Sequence, residues 1–159
     1  MKTRAAKEIA RALIDEVVRY TFGIPGTHNI ELYDVLAGSE GIETIIVTSE
    51  VAGAFLADGY ARCSDDVGVR TVVPGAGVTY SLSGIAEAWM DNVPMVVIAG
   101  GIRSDTNSAF QLHAIDQVAM LRPVTKDVTR VDRAEDLYPT IRRAFRLAKQ
   151  GTPGPVAVE

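Results

Sequence analysis

Cysteine occurs once in the 159 residues, at Cys63, and histidine only twice, at His28 and His113. One thiol forms no internal disulfide, and two imidazoles so far apart in sequence lack the ligand spacing of a dedicated zinc site. Cys63 follows Arg62 near a helix end and reads as a spectator thiol. Basic residues are the minority: 16 Lys and Arg stand against 20 Asp and Glu, a net charge of −4. No basic face is available to neutralise the phosphates of a nucleic acid. No apolar run approaches the roughly 20 residues that cross a membrane. The opening Met1-Lys2-Thr3-Arg4-Ala5-Ala6-Lys7-Glu8 has neither the apolar core nor the cleavage site of a secretion signal, so the expected compartment is the cytoplasm. Gly75, Gly77 and Gly84 do not complete a dinucleotide fingerprint, because its third glycine would fall at Tyr80, and no G-x-x-x-x-G-K-[ST] phosphate loop occurs.

What is present is enough apolar material, 47% of the chain, for one globular domain over residues 1–159. Ala6, Ile9, Ala10, Leu13, Ile14, Val17 and Val18 recur at helical spacing, which predicts a first helix from about Thr3 to Arg19, followed by a short strand and a turn. Helices near Asn29–Leu36, Glu50–Arg62 and Val78–Met90 then alternate with strands at Glu43–Val47, Val67–Val73 and Pro94–Ala99. Val69–Val73 and Met95–Ala99 are nearly continuous apolar runs, as expected of central parallel strands covered on both faces. Ser104, Asp105, Asn107 and Ser108 mark an exposed loop within Ile102–Ala114, at the edge where loops carry function. An extended segment near Val124–Arg130, a helix over Ala134–Lys149 and a strand at Pro155–Val158 complete the series. The fold expected is a three-layer α/β/α sandwich on a mainly parallel sheet of about six strands.

Glu50 lies where a strand gives way to a helix, at the carboxyl end of the sheet, where parallel α/β folds bind ligands. It has two readings: a carboxylate that complements a helix N-terminus, or an acid offered to a ligand in the crevice. Ile24-Pro25-Gly26 is by itself a turn, and His28 beside it reads as the start of the next helix.

Taken in order, Phe22-Gly23-Ile24-Pro25-Gly26, Glu50 with Ala57-Asp58-Gly59-Tyr60-Ala61-Arg62, Pro74-Gly75-Ala76-Gly77-Val78-Thr79 and Asp91-Asn92-Val93-Pro94 closely resemble the pyrimidine-binding domain of thiamine-diphosphate-dependent enzymes, nearest to the acetolactate synthase and 2-oxo-acid decarboxylase group. Ala109-Phe110-Gln111 and Met120-Leu121-Arg122-Pro123-Val124-Thr125-Lys126 extend the likeness over nearly the whole chain. The resemblance implies that Glu50 hydrogen-bonds N1′ of the cofactor's aminopyrimidine and favours the imino tautomer that removes the thiazolium C2 proton. It implies that the backbone of Ile24, Pro25 and Gly26 approaches the pyrimidine from the other subunit. Ala76, Thr79 and Tyr80 would lie along the cofactor pocket, and Phe110 and Gln111 beside the substrate channel, although Gln111 also reads as an ordinary loop residue. Ala76 and Tyr80 depart from the family's Gly-Pro-Gly-Ala-Thr-Asn, and Leu112-His113-Ala114 departs from the acidic residue that often follows Phe-Gln. The family's Gly-Asp-Gly stretch, which holds Mg²⁺ and the diphosphate, does not occur in this chain. The resemblance therefore implies half an active site, with thiamine diphosphate as cofactor, no metal ligands of its own, Mg²⁺ held by a separate diphosphate-binding domain or subunit, a homodimer, a small 2-oxo acid as substrate and an isolated chain that is inactive. A subunit of a split sulfopyruvate- or phosphonopyruvate-type decarboxylase, and a non-catalytic assembly or regulatory module of the same fold, are the alternatives.

Overall fold

Every residue of the Met95–Ala99 run is buried, but alternate residues are buried against different layers: Met95, Val97 and Ala99 join one core, Val96 and Ile98 the other. That is the pleat of a strand sandwiched between two helical layers. A computed structural model of the protein describes residues 2–103 and 111–159. The elements are α1 (Lys2–Asp15), β1 (Tyr20–Gly23), α2 (Ile30–Ala37), β2 (Glu43–Ile46), α3 (Glu50–Cys63), β3 (Gly68–Val72), α4 (Ala76–Met90), β4 (Met95–Ala99), α5 (Gln117–Leu121), a 3₁₀ turn at Arg122–Val124, β5 (Asp127–Thr129), α6 (Ala134–Lys149) and β6 (Pro155–Val158). The six strands form one sheet in the order β2-β1-β3-β4-β6-β5, and every neighbouring pair is parallel.

One face of the sheet is covered by α1, α2 and α6, through Leu13, Leu36, Ile141 and Phe145 packed on Val69, Val96, Val156 and Val158. The other carries α3 and α4, through Ala57, Val78 and Ile85 on Phe22, Val72, Met95 and Val97. Gly84 lets α4 approach α3 closely, since a Cβ there would lie 2.7 Å from that of Ala54. Across the second face the register aligns Phe22, Arg70, Val97 and Ala157 in one row. The Val69–Val73 run is therefore not uniformly apolar in effect: its second residue is a fully buried arginine.

Two boundaries differ from expectation by more than two residues. The first helix stops at Asp15 rather than Arg19. There Val18 donates to the Leu13 carbonyl at 3.0 Å and Val17 to that of Ile14 at 2.9 Å, the paired bonds of a Schellman ending, with Val17 in the left-handed region at φ 58°. The segment at 117–124 is helical, whereas only Asp127–Thr129 of the expected Val124–Arg130 extension is strand. Lys126 instead donates from Nζ to the carbonyls of Leu147 and Gln150, both at 2.6 Å, and of Thr152 at 2.8 Å, a cation on the carboxyl end of α6. The expected loop at Ile102–Ala114 falls largely on residues 104–110, outside those described. Among the described residues no helix is long and apolar enough to cross a membrane.

Candidate functional site

β1 and β3 are neighbours, yet α2 leaves β1 towards one face and α4 leaves β3 towards the other. The loops after them therefore diverge and leave a crevice at the carboxyl edge, the position at which open α/β sheets receive ligands. From the β1 side comes Ile24-Pro25-Gly26. Its shape is fixed by buried Asn29, whose Oδ1 accepts from the Gly26 amide at 2.7 Å and whose Nδ2 donates to the Ile24 carbonyl at 3.2 Å. Gly26 lies against Val73, at the end of β3.

From the β3 side comes Gly75, at φ 65°, which opens α4 beneath the backbone of His113; a Cβ on Gly75 would meet that backbone at 2.7 Å. The buried side chain of Gln117 fastens this turn, accepting from the Gly75 amide at 3.1 Å and donating to the Gly100 carbonyl at 2.7 Å. The rings of His28 and His113, distant in sequence, meet edge to face with centroids 5.3 Å apart.

Glu50 is the first residue of α3, and its side chain is 12% exposed. Oε2 accepts from Nη2 of Arg70. Oε1 faces the first turn of α4, 3.2 Å from where a side chain on Gly77 would begin. That helix N-terminus brings backbone N–H groups, which favour a negative charge. Arg70 is tied through both terminal nitrogens: Nη1 donates to the carbonyls of Phe22 at 2.9 Å and of Thr71, and Nη2 also to Ser81 Oγ at 3.0 Å. Its Nε is buried without a partner among the described residues. Burial pulls the guanidinium down to about 10, the nearby Tyr33 acting in the opposite sense, so Arg70 remains a cation at neutral pH.

The first turn of α4 presents the other pocket candidates. Ala76 is exposed, and the Thr79 hydroxyl turns back onto the Ala76 carbonyl at 2.9 Å. Tyr80 is 64% exposed. Gln111 is exposed, and Phe110 lies outside the described residues. The crevice thus gathers Glu50, the 24–26 loop and the start of α4, while Gln111 joins them only through the turn that leads to His113. A cleft of about 720 Å³ lies elsewhere: it opens among Arg4, Thr27, Ile102, Arg130, Arg133 and Glu159, and Glu50 does not line it. Arg130 and Arg133 there pair with carboxylates. Among the described residues no cluster of three or more His, Cys, Asp or Glu is arranged to hold a metal ion.

Arg70, Asn29, Ser81 and Gln117 went unrecognised in the sequence. Only Arg70 left a signal, because a charged residue in a strand covered on both faces requires a partner.

The family model for the N-terminal TPP-binding domain of thiamine pyrophosphate enzymes matches residues 3–120. The acetolactate synthase large subunit of Haemophilus influenzae is 39% identical over 158 residues, 99% of this chain and 28% of that protein. The acetolactate synthase isozyme 3 large subunit of Escherichia coli is 38% identical over 154 residues, 97% of this chain and 27% of that protein. The 2-hydroxyacyl-CoA lyase 2 of Caenorhabditis elegans is 35% identical over 158 residues, 99% of this chain and 24% of that protein. The chain spans about a quarter of the length of these relatives.

Proposed function

The chain belongs to the thiamine pyrophosphate enzymes, as their N-terminal TPP-binding domain, and from that premise we propose that residues 1–159 bind the aminopyrimidine half of thiamine diphosphate in the Glu50 crevice and supply the activating carboxylate for decarboxylation or carboligation of small 2-oxo acids. One observation carries the reading. At the divergence of β1 and β3, a carboxylate is held firmly through one oxygen by Arg70, while the other faces a helix N-terminus lined by small residues.

The residues present fit the group. Gly77 packs so closely on Val73, a Cβ there lying 2.6 Å from its Cγ2, that no side chain stands between the α4 backbone and Glu50 Oε1, and the Asn29 clamp gives the 24–26 backbone a fixed edge for a flat ring. In this reading Glu50 bonds N1′, Ile24, Pro25 and Gly26 border the ring, Ala76, Thr79 and Tyr80 line the approach, and Phe110 and Gln111 flank the substrate channel. Bound thiamine diphosphate supplies the carbanion-stabilising chemistry that a 2-oxo acid needs. The work of this chain is to orient the ring and to govern the proton on its nitrogen.

The diphosphate and its Mg²⁺ belong to a partner domain or subunit, and the assembly is a dimer. Two features support a partner: the chain corresponds to about a quarter of its relatives, and Phe55 and Leu56 on α3 and Tyr80 on α4 leave apolar surface exposed close to the crevice.

The test is exchange of the cofactor's C2 proton in the enzyme reconstituted with its diphosphate-binding partner. Glu50→Gln slows exchange by about 10²–10⁴-fold, the range of general acid–base catalysis. An unchanged rate with cofactor bound refutes the assignment. The chain alone, retaining a few contacts of about 0.5–1.5 kcal/mol each, binds thiamine diphosphate with affinity on the order of millimolar.

A further inference from the structure

Buried arginines are rare, and this one is spent on the carboxylate to which the cofactor role falls. Resting on the proposed reading of Glu50, we infer that Arg70 is a positioning residue that holds Glu50 ionised and aimed, so that the proton in the Glu50–ring hydrogen bond sits on the ring nitrogen and not on the carboxylate.

The argument starts from immobility. The Nη1 of Arg70 is bonded to carbonyls of two adjacent strands, Phe22 in β1 and Thr71 in β3, while Nη2 reaches α3 through Glu50 and α4 through Ser81. A guanidinium fastened to four elements does not move aside when a ligand enters. It is also wholly inaccessible, so its charge requires a counter-charge close by. The groups facing the pair are few. Glu50 comes from α3, and the rest of that helix's first turns, Val51 to Phe55, brings no titratable side chain. The first turn of α4 is Ala76, Gly77, Val78 and Thr79, again with none. From α2, Tyr33 interacts with Arg70 as a neutral phenol, its ionisation pushed up chiefly by burial. The only carboxylate the described contacts give Arg70 is that of Glu50. A proton placed on Glu50 would leave the guanidinium buried and uncompensated.

An ionised carboxylate only accepts hydrogen bonds, so it can join a ring nitrogen only where that nitrogen carries the hydrogen. A glutamate without such a partner would share the proton between the two sites. Arg70 thereby selects the protonated ring, a role distinct from merely bracing the strands.

Carbon-detected NMR titration of the glutamate carboxyls in the 159-residue chain separates these roles, with the Glu50 signal identified by its loss in Glu50→Gln. Glu50 should titrate below the ordinary glutamate value of about 4.3. Arg70→Gln should raise that midpoint by about one pH unit or more, a tenfold change in proton affinity, and Arg70→Lys should restore most of the difference. A wild-type midpoint at or above about 4.3 overturns the inference by itself, even if Arg70→Gln fails to fold. Equal midpoints in folded wild type and Arg70→Gln overturn it too. Thiamine, which carries the pyrimidine without the diphosphate, is then titrated between about pH 5 and 8, the range in which small environmental changes move a weakly basic ring nitrogen. Wild-type affinity should rise as pH falls, since the complex holds one proton that the free ionised carboxylate and the free ring lack. Thiamine binding with Glu50 titrating normally leaves the proposed function standing and refutes the role of Arg70. Low titration of Glu50 without thiamine binding at any pH refutes the proposed function, and the ring-nitrogen half of the inference with it.

Discussion

Gln117 holds Gly75 in place from 42 residues away, its side-chain oxygen accepting from the Gly75 amide at 3.1 Å. Its side-chain nitrogen meanwhile donates to the Gly100 carbonyl at 2.7 Å, so one amide satisfies a donor and an acceptor at the ends of adjacent strands. Two backbone groups at the buried edge of the crevice depend on it.

Replacing Gln117 by Ala strands both, at about 1–3 kcal/mol for each group left unpaired, and the expected loss in urea unfolding is about 2–6 kcal/mol. Gln117→Glu keeps the acceptor for Gly75 but turns a second oxygen on the Gly100 carbonyl, so it too should destabilise. Unfolding midpoints within error of wild type for both variants would show that the turn at Gly75 stands without this clip.

Tyr80 is 64% exposed, although it takes the position at which the family resemblance has Asn. Tyr80→Asn should leave the melting temperature of the chain nearly unchanged, since surface substitutions usually fall within about 0.5 kcal/mol. In the reconstituted enzyme it should change cofactor affinity or 2-oxo-acid preference. Calorimetry and a substrate panel read the two effects apart, and constancy in both would remove Tyr80 from the pocket wall.

Val17 and Asn92 occupy the same position in two Schellman helix endings, both at φ 58°, with Val93 donating to the Ala88 carbonyl at 2.8 Å as Val18 does to Leu13. Asn tolerates that conformation, whereas a β-branched residue is strained in it by about 1–2 kcal/mol. Val17 is 77% exposed, so little packing is lost on replacement. Val17→Asn should stabilise the chain by about 1 kcal/mol, or roughly 2–4 °C in Tm for a protein of this size. A lower Tm would mean that Val17 covers apolar surface against a partner.

Where periodicity is long, the sequence is a good guide to the fold. The amphipathic pattern over Ala134–Lys149 and the bounded apolar run Pro155–Val158 coincide with α6 and β6 at both ends. The pattern misled at Val17 and Val18, where apolar spacing continues past the point at which hydrogen bonding turns back on itself. The five residues of α5 are too few to carry a period, and their N-terminus is marked only by Asp116 accepting from Ala119 at 2.9 Å. Of the site, Glu50 was legible because a carboxylate at a strand-to-helix junction is a local feature. Arg70 and Gln117 act across 20 and 42 residues, and such pairings arise from sheet order, which no local pattern encodes.

That order has a consequence for how the chain comes to be folded. β6 follows every other strand in sequence, yet it fills the slot between β4 and β5, and among the described residues the only strand paired with β5 is β6. A nascent chain ending before Pro155 would carry a four-stranded sheet with the β4 edge open and the 127–129 segment unanchored. Bringing residues 155–158 back to β4 closes a loop of more than fifty residues, a non-local step of the kind that slows folding. Until synthesis passes residue 158, the β4 edge is the surface on which self-association would start.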